Sequence, residues 1–214
     1  MKISIENYQF TVVLEDNATA AALKEHLPMT LDMNELNGNL DQFHDTRILF
    51  NLIMGVYAMD GNLPRKVVMK AKQLAKDIPA EERLKGLPDG NTITVYRADG
   101  WRQPTFERLV KCAPSWTIDK NTAIWFAYRR YKMFIDEGAE PDRPPRAIWK
   151  GEIERDKIIA YLTDRGECEV LQHRNVRNLE MLPDPTPEEV EEAFAEEVRR
   201  REERERQLIE TAKD

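Results

Sequence analysis

Cysteine is scarce in this chain: Cys112 and Cys168 are the only two among 214 residues. Two thiols cannot build a disulfide framework, and their use fits a reducing cytosol. Histidine is scarce as well. His26, His44 and His173 lie far apart, no Cys/His cluster has metal-ligand spacing, and no metal is expected. No apolar run is long enough to span a bilayer. Met1-Lys2-Ile3-Ser4-Ile5 lacks the basic-then-apolar pattern of a secretory signal, so a cytoplasmic protein without membrane contact is expected. Positive charge is in the minority. The 32 Lys and Arg against 39 Asp and Glu leave a net charge of −7, which argues against a generic nucleic-acid binder. No feature sets the oligomeric state.

What is present is one substantial domain's worth of chain with appendages. Ile3 and Ile5, then Phe10, Val12 and Leu14, alternate with polar residues on either side of Asn7, which predicts two short strands and a tight turn. Asp16 or Asn17 can cap a helix through residues 18–26, which Pro28 stops. Residues 27–33 alternate again, and Asn37-Gly38-Asn39 reads as a turn. This opening resembles the start of the bacterial cyclophilin-like family in Phe10-Thr11, Leu14 to Ala20, Leu27 to Leu31 and Asn37-Gly38-Asn39. The resemblance covers residues 1–39. It implies a borrowed piece of that small barrel and not a prolyl isomerase.

Helical spacing returns from Asp41 to about Ala58, through Phe43, Ile48, Leu49, Leu52, Ile53, Val56 and Tyr57. A second amphipathic helix is expected over 67–75, stopped by Ile78-Pro79. Thr92 to Arg97 is a β-rich run that ends on a cation. Ala113-Pro114-Ser115-Trp116-Thr117 leads into a helix from about Lys120 to Met133. Residues 147–153 and 158–162 read as strands. Pro183 to Pro187 is a linker, and Thr186 with Glu189 forms a capping box for a last helix. That helix is dense in Glu and Arg, with Glu196/Arg200, Glu197/Arg201 and Glu202/Arg206 spaced to pair, and its plainest reading is a solvated face. Val190, Ala193, Phe194 and Val198 could dock its first turns. The organisation expected is 1–40, a ββα/β piece; 41–183, the main domain; and 184–214, a charged helix.

The candidate chemistry sits in Gly166-Glu167-Cys168-Glu169-Val170-Leu171. In a strand, residues two apart share a face, so Glu167 and Glu169 would project together. Two carboxylates so placed suit transfer at a sugar anomeric carbon, whose cationic transition state they stabilise. Their alternative is a solvated strand edge. Cys168 alternates away from them and reads as packed, not catalytic. Upstream, Arg97 ends its strand; a planar guanidinium matches two phosphate oxygens, although a salt-bridged strand end is the default for a lone arginine. Ser115 can donate to a carboxylate and fix its rotamer, or serve as a helix cap.

The order of these blocks resembles the mono-ADP-ribosyltransferases of the arginine–serine–glutamate type. The match runs through the aromatic–Arg pair Tyr96-Arg97, the hydroxyl block Ser115-Trp116-Thr117, then Ala123 and Phe126, then Glu167-x-Glu169 before Val170-Leu171. It spans roughly residues 93–182. Trp116 departs from the family, which usually has a small residue there; it either lines the nicotinamide cleft or faces the core.

The resemblance implies an α+β fold with a split, mostly antiparallel β core, preceded by a helical lobe. It implies NAD as substrate, bound through Arg97, Tyr96, Thr117, Trp101 and Phe126, with Glu169, Glu167 and Ser115 as the catalytic set. Glu169 would take the 2′-hydroxyl of the nicotinamide ribose. Glu167 would orient or deprotonate a protein acceptor, an arginine being favoured by a Glu at that position. A bacterial or phage, toxin-like protein is implied. Two other readings stay open: an NAD glycohydrolase on the same core, and an inactive binding or regulatory module.

Overall fold

The computed structural model of the chain describes residues 2–5, 8–11, 45–60, 64–100, 106–163 and 166–211. The helix expected over 18–26, the strand over 27–33, the turn at 37–39, and Trp101 lie outside them. The chain divides into two compact units, residues 1–79 and 80–214.

In the first unit, β1 (Lys2–Ile5) and β2 (Tyr8–Thr11) pair antiparallel, with Ile5 opposite Tyr8. This is the hairpin that the alternation around Asn7 predicts. Helix α1 (Thr46–Asp60) starts after Asp45, whose carboxylate accepts from the amides of Arg47 and Ile48 at 2.9 Å each. Its inner face buries Leu49, Phe50, Ile53, Met54 and Tyr57. Helix α2 (Arg65–Leu74) follows Pro64 and buries Val67, Val68, Ala71 and Leu74, the stripe its 3.6-residue periodicity predicts.

The second unit carries the remaining elements. They are α3 (Ala80–Arg83), β3 (Thr92–Ala98), α4 (Glu107–Lys111), β4 (Ser115–Thr117), α5 (Lys120–Asp136), β5 (Ile148–Glu154), a 3-10 turn at Arg155–Lys157, β6 (Ala160–Leu162), β7 (Glu169–Leu171), β8 (Arg177–Met181) and α6 (Pro187–Thr211). The strands form one antiparallel sheet in the order β6-β7-β4-β3-β5-β8. The protein is thus α+β, with a six-stranded antiparallel sheet and six helices among the described residues. The sheet narrows at its centre. β4 pairs with β7 along its whole length, yet meets β3 at a single residue pair, Tyr96 with Thr117. On the far side β3 and β5 pair over seven residues, from Thr92–Glu154 to Ala98–Ile148.

Each face of the sheet buries its own core. Ile93, Val95, Trp116, Trp149, Ile153 and Val170 pack together on one side. On the other, Tyr96 and Ala98 meet Ala123, Ile124 and Ala127 of α5 and Ala193 of α6. Gly151 sits where the β5–β8 register shifts, and a Cβ there would collide with the Val176 side chain. Strand β6 is shorter than the expected 158–162. Arg155–Lys157 coils into the 3-10 turn just before it, and Arg83 donates to the main-chain oxygens of Ile158 and Ile159. Strands β4 and β8 and helices α3 and α4 are additions to the expected elements, each too short or too irregular to show a periodicity in the sequence.

The last helix begins at the predicted capping box. The Thr186 amide donates to Glu189 Oε2 at 2.9 Å, and the Glu189 amide to Thr186 Oγ1 at 3.2 Å. It is not a solvated face throughout. Lys120 reaches Glu189 at 2.7 Å, Lys132 reaches Glu191 at 2.9 Å, and Asn121 reaches Glu196 at 2.6 Å, so α6 lies against α5. Ala193 is fully buried and Phe194 lies under the Lys132 ammonium, while Val198 stays exposed. Of the three pairs expected within the helix, Glu197–Arg201 forms at 2.6 Å. Glu196 turns to Asn121 and Arg200 to Asp119 of the neighbouring helix, and Arg206 donates to the main-chain oxygen of Glu202. A partner in a half-buried interface outcompetes an exposed pair worth a few tenths of a kcal/mol, ~0.3. No helix among the described residues is long and apolar enough to cross a membrane.

Candidate functional site

The narrow waist of the sheet brings Ser115, Thr117 and Glu169 onto adjacent strands, with Tyr96 and Arg97 on the next one. Strand β4 is short because Pro114 precedes it and Asp119 caps α5 two residues after it ends. The Asp119 carboxylate accepts from the amides of Asn121 and Thr122 at 3.0 Å each. Within β4 the two-residue alternation is strict. Trp116 is buried in the core with its Nε1 donating to Ala113 O at 3.1 Å. The indole therefore faces the core, and Ser115 and Thr117 share the opposite face with Glu169 and Tyr96.

Ser115 Oγ donates to Glu169 Oε1 across the β4–β7 pair. The Glu169 side chain is almost entirely buried at 5% exposure. A carboxylate so enclosed depends on its donors, because removal from water otherwise costs several kcal/mol, ~2–7 for an unpaired polar group. Arg97, at the end of β3, donates from Nη1 to Ser115 O at 2.6 Å and from Nε to Asp99 Oδ2 at 2.8 Å. Asp99 in turn accepts from the Gly100 amide at 2.8 Å. Arg97 is thus the ion-paired strand end that is the default for a lone arginine, and it is also tied to the main chain of β4, whose serine reaches Glu169. Among the described residues its Nη2 edge makes no hydrogen bond.

Glu167 is placed differently from expectation. Strand β7 begins at Glu169, and Cys168 has φ +48°, so strand alternation does not run through Glu167. The pair is not one face of a continuous strand. Glu167 instead stands in a turn whose main-chain oxygen accepts from Thr117 Oγ1 at 2.6 Å. Thr117 accordingly works on the backbone of the carboxylate segment, and also accepts from the Asp119 amide at 3.1 Å. Cys168 is half-buried beside Tyr161; burial, reinforced by the Cys168 thiol, pushes the Tyr161 phenol above its ordinary range.

Tyr96 packs with Phe126, Ile124 and Ala98 beneath α5. Phe126 meets Trp125 edge-on with centroids 4.8 Å apart, and the Arg129 guanidinium lies 4.8 Å over its ring. Beside them opens a cleft of about 390 Å³, lined by Asp99, Gly100 and Phe126 and by Arg129, Arg143 and Arg146. Burial, then the charge of Arg146, pulls the Arg129 guanidinium below its ordinary value; Glu167 opposes this and Arg201 adds to it. Cations crowded in this way leave a surplus of positive potential, which suits a phosphate-bearing ligand.

Sequence reasoning missed Asp99, Asp119, Arg129 and Arg146. Asp119 carries the one local signal, a cap position ahead of the helix. The others gain meaning only when α5 folds over the sheet. No cluster of three or more His, Cys, Asp or Glu able to hold a metal occurs among the described residues.

Comparison with known proteins reaches one end of the chain. No curated protein and no solved structure matches it. Residues 3–47, about a fifth of the length, match the family described as the Cyclophilin-like family, and the match ends at the start of α1.

Proposed function

We propose that this protein is an NAD-dependent mono-ADP-ribosyltransferase, built on the core of that enzyme type, which transfers ADP-ribose to a protein acceptor and releases nicotinamide. One observation carries the reading. On three adjacent strands, β3, β4 and β7, an arginine donates to the main chain of a serine, and the serine hydroxyl donates to a buried glutamate. The arginine-lined cleft beside Phe126 supports it, because clustered guanidinium groups suit a pyrophosphate.

Each residue then has a task. Arg97 and the cleft arginines hold the two phosphates. Ser115 fixes the Glu169 carboxylate in one rotamer. Glu169 accepts a hydrogen bond from the 2′-hydroxyl of the nicotinamide ribose, and its negative charge stabilises the cation that develops at the anomeric carbon as the bond to nicotinamide nitrogen breaks. The bonding electron pair leaves with nicotinamide. Glu167 receives the proton of the acceptor nitrogen as its lone pair attacks the anomeric carbon. Arginine is the acceptor we favour.

The test is nicotinamide release from NAD by purified protein and by Glu169→Gln, with and without a lysate as acceptor. We expect Glu169→Gln to lower release by about a hundredfold or more, and lysate to raise wild-type release while labelling protein bands. Glu169-dependent release indifferent to lysate would instead mark an NAD glycohydrolase. Neither release nor NAD binding would remove the enzyme reading and leave an interaction module.

A further inference from the structure

Three successive main-chain oxygens lead into Glu169, and each is held by a different donor. Thr117 Oγ1 donates to Glu167 O at 2.6 Å, and the Ile118 amide to Cys168 O at 3.1 Å. Both come from β4 and its exit. The third donor comes from the far end of the chain: Arg200 Nη1, on α6, reaches Gly166 O at 3.4 Å. The same nitrogen donates to Asp119 Oδ2 and Thr122 Oγ1 at 2.7 Å each. Since the Asp119 amide donates to Thr117 Oγ1, the contacts close a ring through Arg200, Asp119, Thr117 and the Glu167 turn.

The turn needs holding. Gly166 has φ +69° and Cys168 φ +48°, so two left-handed residues flank Glu167, and one of them carries a side chain. Backbone of that kind persists where its surroundings over-determine it. Arg204, one helical turn beyond Arg200, lies over Gly166, where a Cβ would meet its Nε in ordinary contact at 3.5 Å. Arg200 itself is poorly arranged for stability alone. Its Nη2 is buried without a hydrogen bond and its Nε has only the Glu197 carboxylate at 3.7 Å, too far for one, while Nη1 serves three acceptors.

We propose that α6 is a positioning element for the turn that carries Glu167, with Arg200 as its positioning residue. Its catalytic meaning rests on the transfer reading above. Glu169, fixed separately by Ser115, breaks the glycosidic bond, and α6 sets where Glu167 meets the acceptor. The C-terminal helix therefore governs transfer relative to hydrolysis rather than NAD cleavage itself.

The experiment compares full-length wild type, Arg200→Gln and Arg200→Lys by two readouts. Amide hydrogen exchange needs no activity. Arg200→Gln is expected to speed exchange at residues 166–168 about tenfold while the β4–β7 ladder stays protected. Arg200→Lys, which keeps a cation for Asp119, is expected to recover part of the protection. In the NAD assay the ratio of transferred to free ADP-ribose should fall about tenfold in Arg200→Gln, with nicotinamide release changed by no more than about twofold. Unchanged exchange at 166–168 overturns the proposal, as does a uniform rise across the turn, α5 and α6, which would mean simple undocking. Should Arg200→Gln not fold, Arg200→Lys carries the test, since it keeps a cation for Asp119 but lacks the guanidinium that also reaches Thr122 and Gly166 O; exchange at 166–168 identical to wild type in that variant overturns the proposal. Wild type that releases no nicotinamide ends the transferase reading and leaves the exchange result to judge the clamp.

Discussion

Removing the Ser115 hydroxyl would leave Glu169 buried with one donor fewer. The Glu169 carboxylate is enclosed, so it cannot recruit water to replace the bond. Ser115→Ala should therefore lower the rate of nicotinamide release about tenfold to a hundredfold with little change in KM, since Arg97 keeps its bond to Ser115 O, a main-chain atom. Steady-state kinetics on the two proteins decide this. A KM effect alone would place Ser115 in ground-state binding. The residue scale is also where the sequence is most and least legible. Arg97 and Glu169 were findable at the edges of β-rich runs, whereas Ser115 and Thr117 read only as a hydroxyl block ahead of a helix, and the strand that carries them was not foreseen. Glu167 was misplaced because the left-handed backbone of Cys168 has no signature in a non-glycine residue. The role of Trp116 stayed open until its neighbours showed which face was core.

At the scale of elements, α6 shows what local patterns reveal. Its capping box was legible because both partners lie within four residues. Its apolar docking face was legible in Val190, Ala193 and Phe194, but its polar partners were not, because Asp119, Asn121 and Lys120 are distant in sequence and an Arg/Glu-rich helix satisfies its own pairing rule without them. The docking carries a pH dependence. Burial pushes the Asp119 carboxyl up, but hydrogen bonds from Thr122, Arg200 and the backbone amides outweigh burial and hold it below its ordinary 3.8. A group depressed in the folded state adds stability above its unfolded value and loses it as pH falls through the folded one. The α5–α6 contact should thus be intact above about pH 4 and weaken progressively below it. Exchange of the α6 amides as a function of pH measures this. Asp119→Asn should remove the acid-induced step, and a step that survives in that variant would assign it to other carboxylates.

At the scale of the whole molecule, the chain is two compact units. The first contains the segment that matches the Cyclophilin-like family, and the second contains the candidate site. Both hydrophobic clusters that flank the six-stranded sheet lie within residues 80–214. A fragment of those residues should fold cooperatively without residues 1–79, retaining a single melting transition and the near-ultraviolet signal of buried Trp116 and Trp149. Loss of that signal in the fragment would mean the sheet depends on the first unit. The division was only partly legible in the sequence, because helical periodicity locates α1 and α2 without saying which body they join.

Strand β4 has a further consequence for how this protein can change. Three residues serve two masters there: the middle one fills the core, and its neighbours face the carboxylates. Losing or gaining one residue between Val110 and Ser115 would exchange those roles together, sending an indole towards Glu169 and hydroxyls into the apolar interior. The segment can tolerate substitution at its edges, but a change of length is an all-or-nothing event. Drift in this stretch must proceed letter by letter, with its frame held fixed.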